Sequence, residues 1–321
     1  MNKEPIFIVA GEPNSIFLEI FFKSLKLHKF KSPLIIIASE KLVKAQMKKL
    51  GFIFEINIIN RNYNEFNKLS KKKINLIDVK YKFNNSFEKI SSKSNDYIKE
   101  SFNIALKILT ENKFSKFING PISKKYFLKG KSLGITEYLA KKTDRNNKVA
   151  MLIHNKKLSV SPITTHLALK DVNKNISKQK IYTHIKLITE FYKKNFKKNP
   201  KIAITGLNPH CESNFKDCEE DMIIIPAIKN LKSKIFKVEG PFPADTIFMQ
   251  EHITKFDVIV GMYHDQVLTP MKAMFGFDAI NITLGLPFMR ISPDHGPNSS
   301  MLGKNLSSPK SLIEALKFLD K

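Results

Sequence analysis

Short apolar runs alternate with longer amphipathic segments along most of the 321-residue chain. The apolar runs are bounded by glycine, proline and small polar residues, a pattern typical of buried β-strands. Between these runs, apolar side chains recur at helical spacing, as at Ile98, Phe102 and Leu109. The strand-helix alternation indicates a mainly parallel sheet covered by helices, which is an α/β fold. Strands are predicted at residues 5–10, 33–38, 52–59, 74–79, 114–118, 149–153, 158–164, 202–206, 256–260 and 279–284.

Capping residues mark several helix boundaries in the sequence. Gly51 is a stop signal for the amphipathic segment 41–50. Ser308 followed by Pro309 suits the start of a last helix. Further helices are predicted up to about residue 27, from residue 93 onward, at 134–141 and at 177–193, and a short helix is predicted around Lys272.

The stretch 256–290 concentrates polar chemistry around two predicted strands. It supplies an imidazole (His264), an ammonium (Lys272), an amide (Asn281) and a guanidinium (Arg290) in or just after these strands. Ligands of open α/β sheets bind beyond the carboxyl ends of the strands. This set suits an anionic substrate beside a metal ion, although turn residues are also commonly polar because they are solvated.

Three histidines follow three apolar strand patterns at similar distances: His166, His210 and His264. If those strands are parallel neighbours, the imidazoles project into one crevice. Three neutral nitrogens commonly bind a divalent ion that keeps open positions for substrate oxygens. The spacings of 44 and 54 residues match no local metal motif, so solvated or capping roles stay open for each histidine taken singly.

Further polar residues are candidates for substrate binding and proton transfer. Lys272, Asn281, Arg290 and Thr136 could bind a phosphate, since charge-assisted hydrogen bonds from lysine and arginine are strong. Asp245 follows Pro243 and Ala244, a rigid turn that could hold a carboxylate in place. It could equally cap a helix.

The net charge of +25 first suggests a nucleic-acid partner. Only three of the 54 basic residues are arginines, however, and nucleic-acid readers favour arginine for its bidentate fork. The lysines are spread along the chain. We therefore expect a solvated surface and no nucleic-acid partner.

Several classes of protein are disfavoured by what the sequence lacks. It has neither a G-x-G-x-x-G nor a Walker A pattern. No apolar stretch is long enough for a signal-peptide core or a membrane span. The two cysteines, Cys211 and Cys218, match neither a disulfide framework nor a zinc pattern. A cytoplasmic protein with no membrane partner is the simplest expectation.

A series of short motifs, in order over nearly the whole chain, resembles the 4-hydroxythreonine-4-phosphate dehydrogenase family of vitamin B6 biosynthesis. No single motif is specific, but the series is. The motifs are Gly11-Glu12-Pro13, Asn119-Gly120-Pro121-Ile122-Ser123-Lys124, Gly134-Ile135-Thr136-Glu137-Tyr138-Leu139-Ala140, Thr165-His166, Gly206-Leu207-Asn208-Pro209-His210, Gly240-Pro241-Phe242-Pro243-Ala244-Asp245-Thr246, Met262-Tyr263-His264-Asp265-Gln266, Asn281-Ile282-Thr283-Leu284-Gly285-Leu286-Pro287-Phe288 and Asp294-His295-Gly296.

The resemblance implies an isopropylmalate-dehydrogenase-like fold of two α/β/α domains with a cleft between them. Residues 1–128 plus 300–321 would form the first domain, and residues 129–299 the second. It also implies a homodimer whose metal site is shared between subunits. His166, His210 and His264 match the family's metal ligands, and its substrate-binding positions are matched by Thr136, Lys272, Asn281 and Arg290.

The implied reaction is an NAD-dependent oxidation of the small phosphorylated substrate at its secondary alcohol. It gives a β-keto acid that loses CO2 to yield 3-amino-2-oxopropyl phosphate. NADP is possible in place of NAD, and the divalent ion could be zinc, magnesium or cobalt. Asp245 is a candidate for the base that accepts the alcohol proton, and geometry decides such an assignment before pKa does.

The sequence departs from the family pattern at four places. Ile135 stands where a histidine is usual, and Asn14 to Phe17, Cys211 to Asn214 and Pro297 to Ser300 replace small or glycine-rich runs. A related dehydrogenase of another phosphorylated hydroxy acid, of the 4-phosphoerythronate or threonate type, is therefore an alternative. More distant alternatives are a metal- and phosphate-binding module without activity and a basic nucleic-acid-binding protein.

Overall fold

The computed structural model describes residues 3–61, 66, 68–128, 130, 132, 134–146, 148–212, 217–276, 278–293 and 295–321. The chain divides into two compact units, Met1–Ile135 with Pro287–Lys321, and Thr136–Leu286. The sequence placed these divisions at 128/129 and 299/300, whereas they fall at 135/136 and 286/287. The second division lies earlier because the strand Met289–Pro293 pairs with Lys116–Asn119 and so belongs to the first unit.

The first unit contains parallel strands in the order β3-β4-β2-β1-β5-β12, with elements numbered along the whole chain. Its strands are β1 (Ile6–Val9), β2 (Leu34–Ala38), β3 (Ile56–Ile58), β4 (Ile74–Asp78), β5 (Lys116–Asn119) and β12 (Met289–Pro293). Its helices are α1 (Phe17–Leu27), α2 (Glu40–Lys49), α3 (Asn95–Glu111) and α9 (Lys310–Leu319).

Strand β1 lies at the centre of this unit because its sequence is apolar at every position. All four of its residues are fully buried, as expected for a parallel strand with both faces covered. Phe17, Phe21 and Phe22 of α1 are buried as well. Helix α2 begins after Ser39, whose hydroxyl accepts a hydrogen bond from the Leu42 amide.

The second unit has the strand order β11-β6-β7-β10-β8-β9. Strand β6 is antiparallel to both of its neighbours, and the pairs from β7 to β9 are parallel. The strands are β6 (Ala150–His154), β7 (Ser159–Thr164), β8 (Ile202–Thr205), β9 (Val238–Phe242), β10 (Val258–Tyr263) and β11 (Ile280–Leu284). The helices are α4 (Ile135–Lys142), α5 (Lys178–Phe196), α6 (Ile225–Ser233), α7 (Gln250–Ile253) and α8 (His264–Phe275).

The predicted α/β class with a mainly parallel sheet is confirmed. No strand was predicted at β9 or β12, and no helix at α6 or α7. No helix in the described ranges is both long enough and apolar enough to cross a bilayer.

Candidate active site

The three strands that precede the candidate metal ligands are parallel neighbours, which is the condition that the sequence left open. β10 lies between β7 and β8, with Tyr263 opposite Thr164 and Val260 opposite Ile204. His166, His264 and His210 follow β7, β10 and β8, respectively. The carboxyl ends of parallel neighbours share one edge of the sheet, so the loops that carry all three histidines start from the same edge.

Two of the three imidazoles lie together. The ring centroids of His166 and His264 are 5.6 Å apart, with an angle of 38° between the ring planes. His264 is the first residue of α8, and its Nδ1 lies 2.6 Å from Oδ1 of Asp265. A carboxylate on one ring nitrogen orients a histidine and leaves the other nitrogen for a metal ion. This arrangement fits two ligands of a divalent ion.

His210 is not brought into that pair within one chain. It is exposed, in the short turn Pro209–Cys211, and its backbone has a φ angle of 56°. Over the described part of the chain, no group of three histidine, cysteine or carboxylate side chains is arranged to hold a metal ion. Within the described part of one chain, two of the three predicted histidine ligands are therefore brought together and His210 is not.

Glu220 fixes the loop that leads to His210. Its side chain is 1% exposed and accepts hydrogen bonds from the amides of Leu207 and Asn208, at 2.7 and 2.9 Å. The side-chain amide of Asn208 donates to the other carboxylate oxygen at 2.8 Å. Burial alone would raise the pKa of Glu220, but these hydrogen bonds lower it below its usual value. Glu220 is thus a buried anion that holds the Leu207–Asn208 backbone.

Gln266 ties the end of β8 to the end of β10. Its Oε1 accepts from the Thr205 hydroxyl at 2.9 Å and from the Met262 amide at 2.6 Å. Its Nε2 donates to the carbonyl oxygen of Gly206 at 2.8 Å. In the sequence, Gln266 stands in a motif without an assigned role, and no pattern marks Glu220 as functional.

Asp245, the candidate base, lies near the His210 loop. It is exposed in the turn after β9. Burial raises the pKa of the Cys211 thiol, and the charges of Glu220 and Asp245 raise it further. Asp245 therefore lies close to the residue that follows His210.

Three of the four predicted substrate-binding residues lie in the second unit. The hydroxyl oxygens of Thr136 and Thr283 are 3.4 Å apart, and Asn281 precedes Thr283 by two positions on the same face of β11. Oδ1 of Asn281 is buried, and no described residue donates a hydrogen bond to it. An orphaned acceptor of this kind fits a ligand that supplies a donor. Lys272 lies on α8, two turns after His264, and its burial lowers its pKa.

Arg290 lies in the first unit, inside a strand rather than in a loop after one. It belongs to β12, is 1% exposed, and its Nε donates to Oδ1 of Asn119 at 2.7 Å. The Asn119 side chain in turn donates to the carbonyl oxygen of Gly120 at 2.8 Å. The Nε of Arg290 is therefore engaged at the end of β5, and its contact with the substrate phosphate stays a prediction.

Some of the residues at which the sequence departs from the family pattern can be placed. Ile135 is the first residue of α4, directly before Thr136. Ser213, Asn214 and Asp294 lie outside the described residues.

A family model described as pyridoxal phosphate biosynthetic protein PdxA matches residues 29–319. A 4-hydroxythreonine-4-phosphate dehydrogenase from Sulfurihydrogenibium sp. is 38% identical over 314 residues, covering 96% of this chain and 95% of that protein. A protein from Oceanobacillus iheyensis, provisionally named D-threonate 4-phosphate dehydrogenase, is 33% identical over 329 residues, covering 98% and 97%. The crystal structure of the Klebsiella pneumoniae 4-hydroxythreonine-4-phosphate dehydrogenase superposes with a TM-score of 0.84 at 28% identity, covering 98% of this chain and 97% of that one.

The α/β fold, its strand-end site and these relatives place the chain among the dehydrogenases, a class of oxidoreductases. More narrowly, the chain belongs to the family of the pyridoxal phosphate biosynthetic protein PdxA.

Proposed function

We propose that this enzyme oxidises 4-hydroxy-L-threonine 4-phosphate at its secondary alcohol, with NAD or NADP as hydride acceptor. The β-keto acid formed would lose CO2 and leave 3-amino-2-oxopropyl phosphate. The observation that carries this proposal is the pair of imidazoles, His166 and His264, at the ends of neighbouring strands in a chain of this family. The names of the Sulfurihydrogenibium and Klebsiella relatives support the substrate.

We further propose a homodimer in which His210 of the partner subunit completes a site begun by His166 and His264. Exposure of His210 and its separation from the other two support this arrangement. A divalent ion there, whether zinc, magnesium or cobalt, would supply Lewis-acid polarisation of the substrate hydroxyl and of the ketone formed from it. Asp245 lies near Cys211, so in such a dimer it would accompany His210 and could accept the alcohol proton.

The substrate phosphate would lie against Lys272 and Thr136, and the Oδ1 of Asn281 would accept a hydrogen bond from a donor elsewhere on the substrate. The ammonium of Lys272 supplies charge, and partial burial strengthens its interaction with an anion. Thr136 and Asn281 would orient the ligand from the neighbouring helix and strand. For Arg290 we propose a positioning role, in which it holds Asn119 and Gly120 at the end of β5.

The proposal is tested by NADH formation from 4-hydroxythreonine 4-phosphate with the full chain, with and without a metal chelator. We expect turnover that the chelator abolishes and that added divalent metal restores. Turnover unaffected by the chelator would contradict the metal site. No turnover with either NAD or NADP after metal loading would contradict the proposed reaction.

A second candidate substrate is D-threonate 4-phosphate, in which a hydroxyl takes the place of the ammonium. The Oceanobacillus relative favours it. Comparing kcat/KM for the two phosphates separates the candidates, because the better substrate has the higher value.

A further inference from the structure

The first unit contains a cavity at the carboxyl ends of β2 and β4, outside the site described above. Its volume is about 430 Å³. Lys41, in the first turn of α2, and Lys93, in the turn before α3, line it together with residues of the segment 81–88, which follows β4. Small-molecule sites usually have volumes of about 300–1,000 Å³, so this cavity is large enough for a ligand.

The cavity is basic. Lys41, Lys82 and Lys93 line it, and none of the three forms an ion pair with a carboxylate of the described ranges. Glu88 also lines the cavity, and its Oε1 accepts hydrogen bonds from the amides of residues 84 and 85 at 2.7 and 3.0 Å. These bonds, with a smaller effect from the charge of Lys93, lower the pKa of Glu88. One negative charge therefore faces three flexible ammonium groups, which leaves a surplus for an anion.

Aromatic rings form another part of the lining. The rings of Tyr81 and Phe83 are nearly parallel, with centroids 6.1 Å apart and 20° between their planes. Tyr81 also packs on the buried ring of Tyr97, with centroids 5.0 Å apart. Planar bases stack on aromatic side chains of this kind. The cavity thus combines cations with a stacking surface.

Buried side chains hold the aromatic segment in place. The Oδ1 of Asn14 accepts a hydrogen bond from the Glu88 amide at 2.9 Å, and its Nδ2 donates to the hydroxyl of Tyr81 at 3.5 Å. Gln46 of α2 is fully buried and donates to the carbonyl oxygen of Ser86 at 2.8 Å. Asn14 is one of the residues that replace the small residues of the family pattern. The segment is therefore ordered before any ligand binds, which lowers the entropic cost of binding.

We propose that this cavity binds a nucleotide, with the phosphates against Lys41, Lys82 and Lys93 and the base against Tyr81 and Phe83. A nucleotide carries both features that the lining recognises, whereas pyrophosphate or a nucleoside carries only one. The ligand can be a free nucleotide or the adenosine end of the dinucleotide cofactor, since the two share this chemistry. The inference concerns binding alone and does not rest on the proposed reaction.

Calorimetric titration of ADP, pyrophosphate and adenosine into the full chain tests the proposal. We expect ADP to bind at least about 10-fold more tightly than either fragment, because it engages both parts of the lining. Lys82→Gln and Lys93→Gln should each weaken ADP binding about 3- to 10-fold. Tyr81→Leu should weaken it about 5-fold or more, and Tyr81→Phe, which keeps the ring, should retain most of the affinity.

Lys44→Gln is the matched control for the loss of one positive charge. Lys44 lies on the same helix as Lys41, pairs with Glu40 at 2.6 Å and does not line the cavity. Its replacement should leave ADP binding unchanged. Thermal unfolding without ligand verifies that each variant is folded. Lys82→Gln and Lys93→Gln should be at least as stable as the unmodified protein, because each removes one of three like charges.

Competition with NAD distinguishes the two sources of the ligand. ADP that stays bound at saturating NAD identifies a separate nucleotide site. Displacement of ADP by NAD, with NAD affinity reduced in the same variants, identifies the adenosine end of the cofactor. Both results support the inference, and neither depends on turnover. ADP affinity that is unchanged in the Lys82, Lys93 and Tyr81→Leu variants, or no ADP binding at millimolar concentration, would overturn it.

Discussion

The side-chain amide of Gln266 donates a hydrogen bond to the carbonyl oxygen of Gly206 over 2.8 Å. This bond connects the first turn of α8, which begins at His264, with the end of β8, which leads to His210. Two loops that carry candidate metal ligands are thereby held to each other by one side chain.

Replacing Gln266 with alanine should destabilise the enzyme and loosen both loops. The Thr205 hydroxyl, the Met262 amide and the Gly206 carbonyl would each lose their partner. We expect the free energy of unfolding to fall by about 1–3 kcal/mol, as measured by urea denaturation. Affinity for Co2+, measured by its absorption spectrum, should fall as well. The matched control is Gln250→Ala at an exposed position, and a similar change in both variants would contradict the role of Gln266.

His210→Ala should abolish metal-dependent activity while leaving the fold intact. The side chain is exposed, so its removal should change the free energy of unfolding by less than about 0.5 kcal/mol. NADH formation measures the first effect and thermal unfolding the second. His252→Ala serves as the control, because His252 is a histidine of the short helix α7 that is not among the candidate metal ligands. Near-normal activity of His210→Ala would refute its assignment as a ligand.

Mixing two inactive variants tests whether subunits share the site. In a heterodimer of His166→Ala and His210→Ala chains, one of the two shared sites keeps all three histidines. After random reassociation of an equimolar mixture, about a quarter of the original activity should return. No recovery, with heterodimers verified by mass spectrometry, would show that each chain builds its own site.

His184 should make stability fall on acidification. It is buried on α5, and burial, assisted by the charge of Lys180, lowers its pKa to about 3 from the ordinary 6.5. The unfolded chain therefore binds a proton between these values that the folded chain excludes, so stability falls as the pH drops below 6.5. Between pH 7 and pH 5 this histidine should contribute a loss of about 2 kcal/mol.

His184→Leu provides the comparison for this pH effect. The variant should lose about 2 kcal/mol less than the unmodified enzyme between pH 7 and pH 5, as measured by urea denaturation at both values. Identical pH dependence of the two proteins would show that His184 is not the group responsible.

Glu220→Ala should be far more damaging than Glu220→Gln. Alanine leaves the buried amides of Leu207 and Asn208 without acceptors, at a cost of about 2–3 kcal/mol in the free energy of unfolding. Glutamine keeps one oxygen for these two amides, so most of the stability should remain. Denaturant titration of both variants checks the order, and equal losses would mean that the charge itself, rather than the accepted hydrogen bonds, holds the loop.

Local patterns in the sequence were sufficient to place the strand ends, but not to order the strands. The runs before His210 and His264 are apolar because both faces of those strands are covered, whereas the buried run before His166 also contains Ser159, Ser161 and Thr164. That β10 lies between β7 and β8 depends on tertiary crossovers. The proximity of His166 and His264 was therefore a conditional prediction. Strand patterns do not indicate the separation of His210 within one chain, whereas the resemblance, with its metal site shared between subunits, is compatible with it.

Buried polar residues account for most of what the sequence analysis missed. Arg290 follows the turn-forming Gly285 and Pro287, so a loop was the natural interpretation, yet its bond to Asn119 allows it to lie inside β12. Glu220 lies in a polar segment that resembles solvated surface. In both cases a distant partner satisfies the polar group, and pairing over such sequence separations leaves no local signature.

His166 and His210 both adopt left-handed backbone conformations, with φ angles of 54° and 56°. A residue with a side chain is less stable there than glycine by about 1 kcal/mol. Selection for folding alone would therefore favour glycine at both positions. A metal ion bound by both imidazoles, as proposed above, would compensate for this local cost.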